Sequence, residues 1–226
     1  MKFVRYQVNG RFPQVGLIVE DELIDLSGVA PSMQAVINLS EEGMSMIAQH
    51  ANSSPRIPVK DVKLLAPLLP RRNVMCLGLN YAEHAHESLV AQGQAVTLPE
   101  LPIVFTKATT AVSGPTDPIP FDPQVSEKID WEVELAVIIG KQGKNIPVEQ
   151  AMAYVFGYTV CNDISARDLQ RQGKQYFKGK SLDGSCPIGP WIVTTDELPN
   201  PHDLAIRCLV NRVEKSRLRQ HPFWHG

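Results

Sequence analysis

Acidic side chains recur at every second position of one apolar segment, DWEVELAVIIG. If this segment is a β-strand, its alternation places Asp130, Glu132 and Glu134 on one face. Ala136 and Ile138 continue the same face, so we expect part of it to be buried. Buried carboxylates at this spacing repel one another unless a cation or a proton compensates them. The segment is therefore either a half-solvated strand with its acidic face in water or part of a metal site.

A further carboxylate, that of Asp163, ends the apolar run VFGYTVCND. The sequence SARD that follows fits a capping box, with Ser165 as the N-cap and Asp168 at the third helical position. The capping box gives Ser165 and Asp168 a structural role and leaves Asp163 without one. Together with Glu132 and Glu134, Asp163 forms a set of hard oxygen donors that suits Mg²⁺, Mn²⁺ or Ca²⁺ rather than zinc. The sequence therefore predicts a divalent cation held by these three carboxylates.

An imidazole and a carboxylate share one face of a predicted helix in GLNYAEHAHE. Asn80 fits the N-cap of this helix. Glu83 fits the third helical position, from which its side chain can accept a hydrogen bond from the backbone N–H of Asn80. His84 and Glu87 then lie three residues apart, within reach of each other. A carboxylate beside an imidazole fixes its tautomer and raises its basicity, as a general base requires. The alternative is a surface helix with scattered polar residues.

Two lysines, Lys178 and Lys180, flank Gly179 in the segment YFKGKSLDGSCPIGP. A lysine directed at a metal-bound anion would stabilise negative charge that develops during a reaction. The alternative is that both lysines are solvated loop residues, and the segment by itself does not decide between them.

The elements that must position these residues are mostly short strands. Runs of apolar and β-branched residues predict strands at NVMCLGL, PIVFTKA, VFGYTVCN, PWIVTT and LAIRCLV, in addition to the acidic segment. Residues 1–70 form a small leading module of strands and helices, in which Ser40 caps a helix. Prolines clustered between 99 and 123 favour irregular loops over repeated βαβ units. The expected fold class is a β-rich α+β protein.

The composition limits which partners the chain can have. Its formal net charge is −2, which gives no basic field for nucleic acid and favours small molecules as partners. No apolar run reaches the length of a membrane span. The four cysteines have no CxxC spacing, and no secretory signal precedes them, so neither disulfides nor a zinc site are expected. The sequence predicts a soluble, cytoplasmic protein with reduced thiols.

Taken together, these segments resemble the fumarylacetoacetate hydrolase (FAH) family in residue type, order and spacing. The family has a Gly-x-Asn-Tyr-x-x-His-x-x-Glu segment, a Phe-x-Lys strand and an Asp-x-Glu-x-Glu-Leu strand. An Asn-Asp-x-Ser-x-Arg-Asp-x-Gln run and a Gly-Lys-Ser…Pro-x-Gly-Pro stretch follow. The matching residues in this chain are Gly78, Asn80, Tyr81, His84, Glu87, Phe105, Lys107, Asp130, Glu132, Glu134, Leu135, the run 162–170 and the stretch 179–190. The resemblance covers about residues 60–211.

The resemblance implies a compact mixed β roll or barrel with short helices, in a homodimer. It places the FAH-like catalytic domain at 71–211, after the small module at 1–70. The implied substrates are small 2-oxo carboxylates, and the implied chemistry passes through a metal-stabilised enolate. Outcomes in the family include acylpyruvate-type C–C bond hydrolysis, decarboxylation, hydration and keto–enol tautomerisation. Oxaloacetate tautomerase activity is attributed to the most similar branch.

The resemblance also implies roles for single residues. Glu132, Glu134 and Asp163 would be the metal ligands. His84 and Glu87 would be the acid–base pair, and Lys180 would contact the substrate enolate. In this scheme His84, oriented by Glu87, moves a proton at C3 of the substrate or activates water for attack on a carbonyl.

The family pattern stops after Val210-Asn211. There the family has a glycine in a tight hairpin, whereas this chain has Arg212, which adopts a positive φ only at a cost of about 1 kcal/mol. The residues that follow, VEKSRLRQHPFWHG, show no strand period. We therefore expect 212–226 to be an atypical tail without a native strand, and the C-terminal part of the family domain to be missing. A truncated, inactive relative that keeps the metal site is the alternative to a working enzyme.

Overall fold

The computed structural model describes residues 1–78, 101–173 and 175–219. Within these residues strands dominate, and the helices are few and short, which confirms the β-rich α+β class. Two residues to which the sequence analysis gave a catalytic role, His84 and Glu87, lie outside the described residues. The acidic segment, the Asp163 segment and the lysine segment all lie within them.

Short strands make up most of the regular structure in the described residues. The strands are β1 (Lys2–Gln7), β2 (Gln14–Val19), β3 (Glu22–Asp25), β4 (Arg56–Pro58), β5 (Lys63–Leu65), β6 (Val74–Gly78), β7 (Ile103–Lys107), β8 (Val112–Ser113), β9 (Ile129–Asp130), β10 (Val133–Ile139), β11 (Val155–Asn162), β12 (Ser165–Ala166), β13 (Cys186–Thr194), β14 (Ala205–Val210) and β15 (Val213–Arg219). The helices are α1 (Met33–Ile37), α2 (Glu41–Ser53), α3 (Val148–Ala151), α4 (Arg167–Arg171) and α5 (Phe177–Lys180).

One nine-stranded sheet organises the described part of the chain. Its strands run in the order β10-β11-β13-β1-β2-β3-β4, with β5 paired to β1 and β8 paired to β13. β1 and β13 are antiparallel, with Phe3 opposite Ile192. The strands of the leading module therefore continue the same sheet that carries β10 and β11. Three further pairs, β6-β7, β9-β12 and β14-β15, form separate two-stranded sheets.

The main hydrophobic core lies between this sheet and the first two helices. Phe3 of β1, Val36 of α1 and Ile47 of α2 are buried in one cluster, which Ile192 of β13 joins. Ser40 caps α2 as the sequence predicts, because its Oγ accepts a backbone hydrogen bond from the first turn at 3.3 Å. The core thus fixes the position of β13, which is the neighbour of β11 in the sheet.

The acidic segment is not one continuous strand. β9 ends at Asp130, and β10 begins three residues later. In between, Glu132 pairs with the end of β11: its N–H donates to Asn162 Oδ1 at 3.1 Å, and its carbonyl accepts from the Asp163 N–H at 2.8 Å. The prediction that Asp130, Glu132 and Glu134 share one strand face is therefore wrong. The break turns Glu132 towards the end of β11 instead.

The residues after the expected end of the family pattern form a strand. β15 pairs with β14 in an antiparallel hairpin, with Val213 opposite Val210 and Ser216 opposite Cys208. The two turn residues, Asn211 and Arg212, have φ values of 52° and 66°, as a two-residue hairpin turn requires. The prediction that 212–226 adds no strand is therefore wrong for 213–219. An irregularity in the pairing shifts the register within the hairpin, and this shift masks the strand period in the sequence.

We expect Arg212→Gly to raise the free energy of unfolding by about 1 kcal/mol, because glycine adopts a positive φ without the steric cost that arginine meets. Urea unfolding monitored by circular dichroism measures the change. Arg207→Gly, in the middle of β14, is the matched control and should lower stability by about 0.5–1 kcal/mol. A loss of stability in Arg212→Gly as large as in the control would contradict the hairpin.

Candidate active site

The carboxylate of Asp163 is buried between two lysines. Asp163 follows β11 directly, and only 3% of its surface is exposed. Its Oδ1 forms an ion pair with Lys107 Nζ at 2.7 Å, and its Oδ2 accepts a hydrogen bond from Lys180 Nζ at 2.7 Å. Lys107 Nζ also donates to the carbonyl of Ile164 at 3.1 Å. Two positive charges therefore meet a single carboxylate inside the protein.

The carboxylate of Glu132 lies next to that of Asp163 and shares one of its lysines. Glu132 Oε2 accepts from Lys180 Nζ at 2.9 Å. Its Oε1 accepts from Ser165 Oγ at 3.0 Å and forms an ion pair with Arg167. Burial raises the pKa of Glu132, but the charges of Lys180 and Arg167 outweigh burial and hold the pKa below its ordinary value. Glu132 is therefore ionised at neutral pH.

Lys180 is the cation that both carboxylates share. It is 2% exposed, and its Nζ lies 5.0 Å from the centre of the Phe105 ring, a distance that permits a cation–π interaction. Its position depends on a close contact between two backbones at Gly179. A Cβ at Gly179 would lie 2.5 Å from Gln170 N and 2.8 Å from the Ala166 carbonyl oxygen, so only glycine lets α5 approach α4 this closely.

Arg167 extends the charged cluster to Asp130. Its Nε and Nη2 both lie 2.8 Å from Asp130 Oδ2, while its Nη1 contacts Glu132. Burial lowers the pKa of Arg167, but the charges of Glu132 and Asp130 more than reverse this effect and raise the pKa. β9 and β12 hold the pair in place, because Asp130 is opposite Ser165 in their pairing.

Glu134 completes the acidic pattern in sequence and is the second residue of β10. It lies on β10 opposite Cys161 of β11. In the ranges 1–78, 101–173 and 175–219, no group of three or more His, Cys, Asp and Glu side chains lies close enough together to hold a metal ion. The structure thus brings Glu132 and Asp163 together around Lys180. A role for Glu134 beside them stays a prediction.

The capping box at Ser165 is wrong. Helix α4 begins at Arg167, and its N-cap is Ala166, which has no side-chain hydrogen bond to offer. Ser165 Oγ instead lies 3.0 Å from both Glu132 Oε1 and the Asp163 carbonyl oxygen. The Ser165 hydroxyl therefore donates to the partly buried carboxylate of Glu132, which needs hydrogen-bond donors because burial removes most of its water. Asp168 accepts a hydrogen bond at 2.6 Å from the hydroxyl of Ser126, in the loop before β9.

Sequence reasoning missed the roles of Lys107, Arg167 and Ser165. Lys107 and Asp163 are far apart in the chain, and only the fold brings them together. The available signal was a charged residue at the end of an apolar strand: Lys107 ends β7, as Asp163 follows β11. A buried charge at such a position needs a partner of opposite sign.

The fold is that of a known family of enzymes. Residues 73–224 match the family model described as Fumarylacetoacetate (FAA) hydrolase C-terminal, so the chain belongs to the FAH family. The chain is 39% identical over 235 residues to the mitochondrial oxaloacetate tautomerase fahd2 of Xenopus laevis. That alignment covers 99% of this chain and 72% of the frog protein. The family match also reaches past Asn211, where the sequence analysis ended the resemblance.

Solved structures of the family have the same fold. A fumarylacetoacetate hydrolase from psychrophilic Exiguobacterium antarcticum is 36% identical, with a TM-score of 0.79, and the match covers 97% of this chain and 75% of that chain. A maleylpyruvate hydrolase from Sphingobium sp. SYK-6, in complex with manganese(II) and pyruvate, is 27% identical, again with a TM-score of 0.79. The match covers 97% of this chain and 77% of that one. The expected FAH-type mixed β fold is confirmed.

The cytoplasmic location expected from the sequence is wrong. The curated relatives in Xenopus laevis, Rattus norvegicus and Homo sapiens are mitochondrial proteins. The expectation rested on the N-terminal sequence, which does not by itself distinguish the cytoplasm from an organelle. In the part of the chain that the structure describes, no helix is both long and apolar enough to cross a membrane.

We expect Lys107→Met to lower the free energy of unfolding by about 3–5 kcal/mol, because it leaves the buried carboxylate of Asp163 short of one partner. Lys63→Met is the matched control. Lys63 forms an equally short ion pair with Asp117 at 2.7 Å, but its side chain is 55% exposed, and such surface pairs contribute about 0–1 kcal/mol. Denaturant unfolding of both variants measures the difference. Equal losses would show that the ion pair of Asp163 with Lys107 is not buried.

Proposed function

We propose that this chain is a metal-dependent enzyme that acts on small 2-oxo carboxylates through an enolate. The reaction is keto–enol tautomerisation of oxaloacetate or acylpyruvate-type C–C bond hydrolysis. The names of the oxaloacetate tautomerase and maleylpyruvate hydrolase relatives support these two outcomes. The observation that carries the proposal is the buried lysine Lys180, whose Nζ contacts both Glu132 and Asp163 within 3 Å.

A divalent cation fits the donor set of the site. The carboxylates of Glu132 and Asp163 already converge on one compact cation, the ammonium group of Lys180. Carboxylate oxygens are the ligands that Mg²⁺ and Mn²⁺ prefer. We propose Glu132, Glu134 and Asp163 as the ligands, and Mg²⁺ or Mn²⁺ as the ion. The manganese complex of the maleylpyruvate hydrolase supports a divalent metal.

The charges of the site also favour a divalent cation and an anionic ligand. With Glu134, the site has four carboxylates and three cationic side chains, which are Asp130, Glu132, Glu134, Asp163, Lys107, Lys180 and Arg167. The set therefore carries one net negative charge, and a divalent cation would change it to one net positive charge. A net positive site attracts the carboxylate of a 2-oxo acid and stabilises negative charge on an enolate.

Each side chain has one task in this mechanism. The bound cation would supply Lewis-acid polarisation of the substrate oxygens. Lys180, placed beside Glu132 and Asp163, donates hydrogen bonds to the oxygen that gains negative charge as the enolate forms. His84, oriented by Glu87, takes the proton from C3 or returns it there. For C–C bond hydrolysis, the same imidazole removes a proton from the attacking water.

The chain is long enough for His84 to reach this site. Gly78 is the last described residue before His84, and it is opposite Ile103 in the β6-β7 pairing. Lys107, which contacts Asp163, lies four residues after Ile103 on β7. The rise per residue of a β-strand puts the two residues about 14 Å apart. The six residues from Gly78 to His84 can span about 20 Å when extended. The reach supports a role for His84 beside the buried charges.

We propose further that the enzyme is a homodimer. Apolar side chains of two neighbouring strands support this: Val137 of β10 and Val160 of β11 are on the same face of the sheet and are 40% and 45% exposed. A second copy that covers this face would remove the apolar side chains from water.

Adding Mg²⁺ or Mn²⁺ to metal-free protein should stabilise the fold by about 2.7 kcal/mol at a hundredfold excess over the dissociation constant. Thermal unfolding with and without a chelator measures the effect. Glu134→Gln removes a proposed ligand and should abolish most of the gain. Glu149→Gln, in the exposed part of α3, should keep it. An identical melting temperature with metal and with chelator would exclude the metal site.

Replacing His84 with Ala should lower turnover on the preferred 2-oxo acid by roughly 10² to 10⁴, since general acid–base catalysis contributes about this much. The metal-dependent stabilisation should persist, because the imidazole is not a ligand. Enol–keto conversion of oxaloacetate and cleavage of an acylpyruvate are assayed in parallel and separate the two outcomes. Unchanged turnover in His84→Ala would exclude this residue as the base. A parent protein that binds metal but catalyses neither reaction would be the inactive relative.

A further inference from the structure

Two buried thiols lie side by side between β11 and β13. Cys161 Sγ and Cys186 Sγ are 3.3 Å apart, and both cysteines are free. Cys161 is 7% exposed and Cys186 is 0% exposed, and both belong to a small apolar cluster with Ala111. We propose that Cys161 and Cys186 form a reversible disulfide, which makes this pair a site of oxidative modification in the folded protein.

The register of the two strands explains why these thiols meet. Cys161 is directly opposite Ile188, so Cys186 is displaced from it by two residues and points to the same face of the sheet. The same register puts Cys186 across from Asp163. The hydrogen bond from Ile164 N to the Ser185 carbonyl at 3.1 Å shows that the pairing continues to that point. The thiol pair therefore lies next to the buried carboxylate.

The diagonal arrangement makes the bond reversible. Residues at diagonal positions of an antiparallel pair have Cα atoms roughly 7–8 Å apart, whereas a disulfide joins Cα atoms at about 4.4–6.8 Å. The two strands must therefore move together slightly when the bond forms. Disulfides formed under such strain are the easily reduced ones. Because the 3.3 Å separation of the sulfurs exceeds the bond length by only about 1.3 Å, the shift that is needed is small.

The oxidation requires a two-electron acceptor, for which we name a hydroperoxide. One thiol sulfur attacks the peroxide, the O–O bond breaks, and a sulfenic acid and one molecule of water form when the oxidant is hydrogen peroxide. The sulfur of the other cysteine then attacks the sulfenic acid, the S–S bond forms, and a second water leaves. The two thiols lose two electrons and two protons in total. A thiol such as glutathione reverses the step by exchange.

Peptide mapping tests the pair directly. Native protein is treated with hydrogen peroxide, then unfolded and alkylated without reductant, and digested for mass spectrometry. The expected product is a linked pair of peptides containing Cys161 and Cys186, lighter than the two thiol peptides by two hydrogen atoms. Cys76 and Cys208 remain outside this link. Incubation with dithiothreitol before alkylation should return both cysteines to the alkylated form.

Two variants serve as matched controls. Cys161→Ala, in a cluster that already contains alanine, leaves Cys186 without a partner, so Cys186 should be alkylated after the same treatment. Cys208→Ala removes a cysteine of β14 and should form the link as the parent does. Alkylation of both Cys161 and Cys186 in the treated parent would overturn the proposal. A link from either cysteine to Cys76 or Cys208, or a link that dithiothreitol does not break, would overturn it equally. The parent protein alone decides the outcome if Cys161→Ala does not fold.

Discussion

The contact of one buried ammonium group with two carboxylates, one buried and one partly buried, is the constraint on which the rest of this structure depends. Lys180 Nζ lies 2.9 Å from Glu132 and 2.7 Å from Asp163, with little exposure of any of the three side chains. Removing such charges from water costs several kcal/mol for each ion, and only close and well-directed partners offset that cost. The fold therefore has to place the three charged groups in close contact, with small errors in their positions.

The local irregularities of the fold serve this requirement. The strand break before β10 turns Glu132 towards the end of β11, where its backbone forms two hydrogen bonds. Gly179 permits the close approach of α5 to α4 that carries Lys180 into the cluster. Each feature would weaken a regular strand or helix taken by itself. Each is stable in this protein because it gives a buried charge its partner.

The sequence was sufficient for the fold class and for selecting Glu132 and Asp163 as neighbouring carboxylates, but not for the partners of these two residues. The spacing of Glu132 and Glu134 and the end of the β11 run are local patterns, and they can be read without a structure. The contacts of Lys107 and Arg167 join segments that are distant in the chain, so no local pattern contains them. Ser165 was assigned to a helix cap because its neighbours fit one, whereas the partly buried carboxylate of Glu132 competes more strongly for its hydroxyl.

A second error has a different physical origin. The residues after Arg212 lack a regular alternation, which suggested that they form no strand. Pairing with β14 supplies hydrogen bonds whether or not the alternation is regular, and a shift of register accommodates the extra residue. The turn keeps a positive φ at Arg212 because the hydrogen bonds of the hairpin contribute more free energy than the strained backbone at this residue costs. Tertiary pairing therefore overrode a local preference.

The leading module takes part in positioning the site although it contributes no charged residue to it. β1 pairs with β13, and the Phe3 ring lies 6.1 Å from that of Phe156, at the start of β11. The core of the module thus anchors the two strands whose other ends carry Cys186 and Asp163. A rigid sheet is the means by which a protein holds buried charges within a few tenths of an ångström. Loosening the module would consequently disturb the charged cluster without touching any of its members.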